Sequence, residues 1–199
     1  MKRIGDSLKL TSTPDAERIQ YVIARYNEDV SWATDLKHKI IYDKGTPLPG
    51  SVVLPNIGRE AHTYLHHVIT NYDTLAEYTC FLQGHPFDHC PDVLARVRNR
   101  SNIPFTSLPP VGYVSDRNGL PQQVATLPIG QMYDRFFADS RSAFTYIAGA
   151  QFIVSRARIR SRPKWFYEKL LNEDPLVYPW AYERLWRYIF GEEPIRLAA

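Results

Sequence analysis

The segment QGHPFDH places two imidazoles and a carboxylate, His85, Asp88 and His89, in one short stretch. Gly84 allows a close backbone approach there and Pro86 stiffens the turn. Such a set would hold a divalent ion that neutralises a leaving diphosphate, or let Asp88 and a histidine carry a proton. The alternative role of His85 and His89 is hydrogen bonding to loop carbonyls. His62 and His66 stand four apart with His67 beside them, which is also a zinc-ligand spacing on a helix. The glutamate of an HExxH motif is absent and no third ligand is spaced nearby, so the trio reads as helix packing.

A row of guanidinium groups follows in SRARIRSRPK, where Arg156, Arg158, Arg160 and Arg162 occupy every second position. An extended chain would line them along one face, either as a solvated surface or as a contact for phosphate or nucleic acid. Glu183 puts one carboxylate near the start of an aromatic-rich helix. There Trp180, Tyr182, Trp186 and Tyr188 read as core and helix packing rather than a sugar platform.

These groups need elements to position them. Short apolar, β-branched runs at residues 21–24, 39–42, 51–54, 78–82 and 150–154 read as strands. Four of them stop in polar or turn chemistry: Arg25, Asn27 and Glu28, then Asp43, Lys44 and Gly45, then Asn56, Gly58 and Arg59, then Gln83 and the histidine loop. Apolar residues at Ala61, Leu65, Val68 and Ile69 predict a helix over residues 59–71. Two more helices are predicted over residues 163–172 and 180–190, and a short one over residues 32–38 capped by Asp29 or Ser31. Proline-rich residues 101–130 read as one long ordered excursion of the kind that covers a site. Strands alternating with helices imply a mainly parallel α/β sheet flanked by helices. In such a sheet, ligands bind beyond the carboxyl ends of the strands. Helix N-termini and Arg forks at that edge favour phosphate, so a nucleotide or diphosphate is the expected ligand.

Composition bounds the reading. The 199 residues suit one domain, with residues 1–18 as an N-terminal arm and residues 19–199 as the folded unit. Hydrophobic residues at 44% and charged residues at 23% exclude a disordered or fibrous chain. A net charge of only +3 leaves nucleic-acid binding to a local patch. No stretch reaches the roughly 20 apolar residues of a membrane span, and the N-terminus lacks a secretory apolar core. Two cysteines, Cys80 and Cys90, form no disulfide framework and suit a cytoplasmic setting.

Taken in order, ARYNEDVSWA, IYDKG, LPNIGREAHTYLHHVI, YTCFLQGHPFDH, GAQFIVSRARIRSRPKWFYEKLL and ERLWRYIFG resemble an uncharacterised family associated with nucleotide-sugar-dependent glycosyltransferases of the GT-A type. The resemblance implies a GT-A-like, Rossmann-like single domain. It also implies transfer of a sugar from a nucleotide-sugar donor to an acceptor hydroxyl. It places Arg25 near the nucleotide and Asn56, Gly58 and Arg59 near its ribose or diphosphate, and the strand-end reading adds Asn27, Asp43, Lys44 and Gln83 to the donor-binding set. Glu183 would be similar to the acidic residue that such enzymes use as base; the histidine loop read above adds Asp88 and His85 as catalytic candidates, with Asp88, His85 and His89 around a manganese or magnesium ion. The Asp-x-Asp pair of such enzymes is replaced here by QGHPFDH, which puts the metal in question. The acceptor would be a glycan, a lipid-linked saccharide, a small molecule or a modified nucleic acid. Two other readings are a metal-dependent hydrolase built on His62, His66, His85, Asp88 and His89, and a sugar- or nucleic-acid-binding module using the arginine row.

Overall fold

A computed structural model of the chain describes residues 19–99, 104–121, 126–173 and 178–196, so the expected arm over residues 1–18 lies outside the described part. In chain order the elements begin with β1 (Ile19–Arg25), β2 (Lys39–Asp43), β3 (Val52–Val53), α1 (Arg59–Thr70), β4 (Tyr78–Gln83) and α2 (Val93–Arg98). They continue with β5 (Phe105–Ser107), β6 (Gly112–Asp116), α3 (Ile129–Phe136), β7 (Ala143–Ile147) and β8 (Phe152–Ser155). Three helices close the chain: α4 (Arg156–Arg160), α5 (Lys164–Glu173) and α6 (Pro179–Ile189).

The main sheet runs β3-β2-β1-β4-β8-β5. Its first four strands are parallel, while β8 is antiparallel to both β4 and β5. The chain is thus an α/β domain with a mixed, mostly parallel sheet. β6 and β7 pair separately as an antiparallel ribbon.

Strand residues alternate between two apolar layers, which is why these short runs carry no polar face. Phe81 joins a large cluster with Tyr64, Phe152, Trp186 and Phe190. Its neighbours Cys80 and Leu82 point the other way, to a smaller cluster with Cys90, Val93 and Val97 of α2. Cys80 is core, as its place in a strand implies, and burial pushes the Cys90 thiol up to about 11, helped by a hydrogen bond to Asp92. α1 presents Ala61, Leu65 and Val68 to the large cluster and packs against α5 and α6. Among the described residues no helix is long and apolar enough to cross a membrane.

Three expectations change. The helix expected over residues 32–38 shrinks to a single 3-10 turn at Ser31–Ala33, with Asp29 accepting from the Ser31 N–H and hydroxyl at 2.9 Å each. The proline-rich excursion contains β5, β6 and the start of α3. Residues 156–162 are not extended: Ser155 caps α4 by accepting the Arg158 N–H at 3.1 Å, so the arginines leave in different directions.

Candidate functional site

Two cavities open at the carboxyl end of the parallel strands, and both have Arg59 and Glu60 in their walls. One, of about 390 Å³, is lined by Ala24 to Tyr26 at the end of β1 together with Glu28, Lys44 and Asn56. The other, of about 400 Å³, lies toward α6 and the β6–β7 ribbon, with Gln83, His89, Tyr113, Tyr146, Trp180, Glu183 and Arg184 in its wall.

The backbone builds this edge by close approach. A Cβ on Gly45 would lie 1.6 Å from the Tyr26 carbonyl oxygen, so only glycine lets the loop after β2 pass the loop after β1. Gly58 (φ +61°) and Arg59 (φ +47°) are both left-handed, which turns the chain abruptly into α1. The conformation costs a side-chain-bearing residue such as Arg59 on the order of 1 kcal/mol or more, and such outliers gather at functional sites. Ala150 (φ +45°), in the wall of the second cavity, is another.

Of the residues expected to hold a donor, Arg25, Lys44, Asn56 and Arg59 line the first cavity. Arg25 is largely committed elsewhere: Nη1 donates to Asp43 Oδ2 at 2.6 Å and to the Thr46 carbonyl at 2.8 Å, and Nε donates to the Glu28 carbonyl at 2.9 Å. Asp43 does not face either cavity. It is wholly buried and also accepts the Gly45 and Leu48 N–H groups, so it is a scaffold residue rather than a ligand. Asn27 likewise braces the loops, its Oδ1 accepting the Thr46 N–H at 2.9 Å, and borders a different groove. Gln83 belongs to the second cavity and donates to Glu60 Oε1 at 2.8 Å.

Lys44 ties the start of α1 to β2, donating from Nζ to the Ile57 carbonyl at 2.6 Å and the Arg59 carbonyl at 2.5 Å. Burial pulls its pKa down to about 8; Glu60 works against that shift and Arg59 adds to it. The Arg59 guanidinium is the exposed cation of the pair. It reaches over the Trp180 ring, 5.3 Å from the centroid, with Nε 3.5 Å from Glu60 Oε2.

Glu183 does lie in the second cavity. Its Oε1 accepts the Gly149 N–H at 2.6 Å, and its Oε2 pairs with Nη1 of the buried Arg184 at 3.0 Å. The histidine loop divides. His85 and Asp88 pair at 3.2 Å on the surface, both more than half exposed, whereas His89 packs beside Gly149 in the cavity wall. Among the described residues no group of three or more His, Cys, Asp or Glu side chains could hold a metal ion. The residues present therefore do not fit the divalent-ion site expected of His85, Asp88 and His89, nor the five-residue hydrolase set.

On α1, His62 and His66 stack with centroids 6.2 Å apart, and the buried His67 sits with Nδ1 3.0 Å from the Tyr42 hydroxyl. Burial lowers the pKa of His62 and of His67 to about 4, so both are neutral packing groups at neutral pH. The arginine row is consumed by main-chain carbonyls: Arg156 by Leu75, Arg160 by Tyr72 and Asp73, and Arg162 by Tyr188, Gly191 and Glu193. Arg158 pairs with Glu192 at 2.7 Å. The row fastens α4 to the turn after α1 and to the C-terminal segment instead of presenting a phosphate-binding face.

Sequence reasoning missed Glu60, Arg184, Tyr113 and Tyr146. Glu60 was legible as the acidic residue in the first turn of a helix. Tyr146 was legible in the alternation of AFTYI, where it and Phe144 are buried while Ala143 and Thr145 are exposed; Tyr113, in the mostly exposed β6, carries no such signal. Nothing local marks Arg184 as a buried guanidinium.

Comparison of the chain with curated proteins and with solved structures found no match. The family model described as "Protein of unknown function (DUF3431)" matches residues 21–198, and the chain belongs to that family.

Proposed function

We propose that this protein is a glycosyltransferase of GT-A-like build that moves a sugar from a nucleotide-sugar donor to an acceptor hydroxyl. The observation that carries the reading is the pair of cavities sharing Arg59 and Glu60, one for each substrate of a two-substrate transfer. The strand order β3-β2-β1-β4 matches the 3-2-1-4 start of a doubly wound sheet, whose ligands sit beyond the strand ends where the order reverses, between β1 and β4. Ala148 and Ala150, just before the reversed β8, enter the wall of the second cavity.

In this reading the diphosphate lies in the first cavity against the start of α1. Helix N–H groups and the Arg59 fork complement its oxygens there, and Lys44 adds a partly desolvated ammonium. Asn56 meets the ribose or diphosphate. The acceptor occupies the second cavity, where Glu183 receives the proton of the attacking hydroxyl. Charge on the departing diphosphate is met by Arg59 and Lys44, and no step is assigned to a metal. Buried thiols at Cys80 and Cys90 suit a reducing, cytoplasmic setting.

A thermal-shift screen of nucleoside diphosphates and nucleotide sugars, with and without manganese, tests the reading. Saturation at 100 times Kd stabilises by about 2.7 kcal/mol, equivalent to a rise of roughly 5–10 °C for a chain of this size. The expected outcome is such a shift with one nucleotide class. No shift with any member of the screen overturns the proposal.

A further inference from the structure

The second cavity carries two large aromatic rings that the fold leaves open: Trp180 is 48% exposed and Tyr113 39%. Each is braced on protein. The Arg59 guanidinium lies 5.3 Å from the Trp180 centroid. Tyr113 packs against Tyr146 in a tilted pair with centroids 5.6 Å apart and planes inclined by 31°, and the Arg184 guanidinium lies 4.7 Å from the centroid of the Tyr146 ring. Two separate clusters, drawn from α1 with α6 and from the β6–β7 ribbon with α6, hold these rings in the cavity wall. Rings fixed before a ligand arrives lose little freedom when it stacks on them.

The polar groups of the same wall narrow the ligand's chemistry. The carboxylates of Glu60 and Glu183 offer acceptor oxygens, and each has more lone pairs than the partners it holds in the fold. They call for a ligand rich in O–H donors. Formal charge then chooses among such ligands: Arg59 and Arg184 contribute two positive charges and Glu60 and Glu183 two negative ones, leaving zero. Neither a phosphorylated nor an amine-bearing ligand is favoured by that balance. Apolar C–H faces for two aromatic rings, several hydroxyl donors and no net charge together describe a sugar ring.

We propose that the second cavity binds a neutral saccharide, stacked on Trp180 and Tyr113 with its hydroxyls on Glu60 and Glu183. Naming that saccharide as the acceptor rests on the transferase reading above; its binding does not.

Saturation-transfer NMR on the full chain, with neutral methyl glycosides and disaccharides as probes, with glucosamine and glucuronate as charged counterparts, and with and without UDP, tests this. The expected result is binding of a neutral probe in preference to its charged counterparts. Tyr113→Ala and Trp180→Ala should each weaken it about tenfold, the scale of one lost aromatic contact. Both side chains are well exposed, so the variants should keep the wild-type circular dichroism, and Tyr113→Phe should retain binding. Failure of every neutral probe, tighter binding of a charged one, or unchanged binding in both alanine variants overturns the proposal. Nucleotide-diphosphate shifts without saccharide binding would remove this inference and leave the transferase reading. Saccharide binding without any nucleotide shift would do the reverse.

Discussion

Arg25 and Asp43 close a 2.6 Å ion pair across the ends of β1 and β2, with the carboxylate wholly buried and the guanidinium nearly so. Asp43 gathers the Arg25 side chain and two loop N–H groups, so the pair sets the path of both loops that border the first cavity. Removing one partner of a buried pair strands the other, which costs about 3–5 kcal/mol. Asp43→Ala should lose that much in equilibrium denaturation, while Asp88→Ala on the surface should stay within about 0.5 kcal/mol of wild type. Equal stability of the two variants would contradict the scaffold role of Asp43.

Arg59 and Arg160 separate a ligand-binding arginine from a structural one. Arg59→Ala removes charge-assisted bonds worth roughly 1.5–3 kcal/mol, so nucleotide-diphosphate affinity should fall about 10- to 100-fold by calorimetry. Arg160 spends its guanidinium on the Tyr72 and Asp73 carbonyls and lines neither cavity. Arg160→Ala should leave that affinity unchanged. A similar loss in both variants would move the phosphate away from α1.

Glu183→Gln keeps the size of the side chain and one oxygen for the Gly149 N–H but removes the base. Turnover should fall by roughly 10²- to 10⁴-fold with donor binding retained. Near-normal turnover in this variant would exclude Glu183 as the base and leave Glu60, the other carboxylate in the wall of the second cavity, as the group to test.

Acid should destabilise the fold before the carboxylates titrate. His62 and His67 are held near pKa 4 by burial, whereas an unfolded chain protonates histidine below about 6.5. Between those values the unfolded state binds more protons, so stability is complete above about pH 6.5 and falls as pH drops toward 4. Each such proton contributes a slope approaching about 1.4 kcal/mol per pH unit. Urea denaturation at pH 7.5, 6 and 5 measures this, and a flat profile across the three would show that the two imidazoles protonate freely in the folded chain.

Some of this protein was readable from local pattern alone. Apolar runs bounded by Arg25-Tyr26-Asn27, Asp43-Lys44-Gly45 and Asn56-Ile57-Gly58 mark strand ends, and the spacing of Ala61, Leu65 and Val68 marks α1. Because parallel strands bring their carboxyl ends to one edge, that pattern already places Arg25, Lys44, Asn56 and Arg59 together. What each polar group does there was decided by partners far away in the chain. Asp43 became scaffold because Arg25 lies beside it in the β1–β2 register, and Arg156, Arg160 and Arg162 became fasteners because distant carbonyls reach them first. The second cavity exists only because the β6–β7 ribbon brings Tyr113 and Tyr146 against α6, a pairing between segments about thirty residues apart. Periodicity reports which face of an element is apolar; burial, charge pairing and cavities arise when faces from remote segments meet.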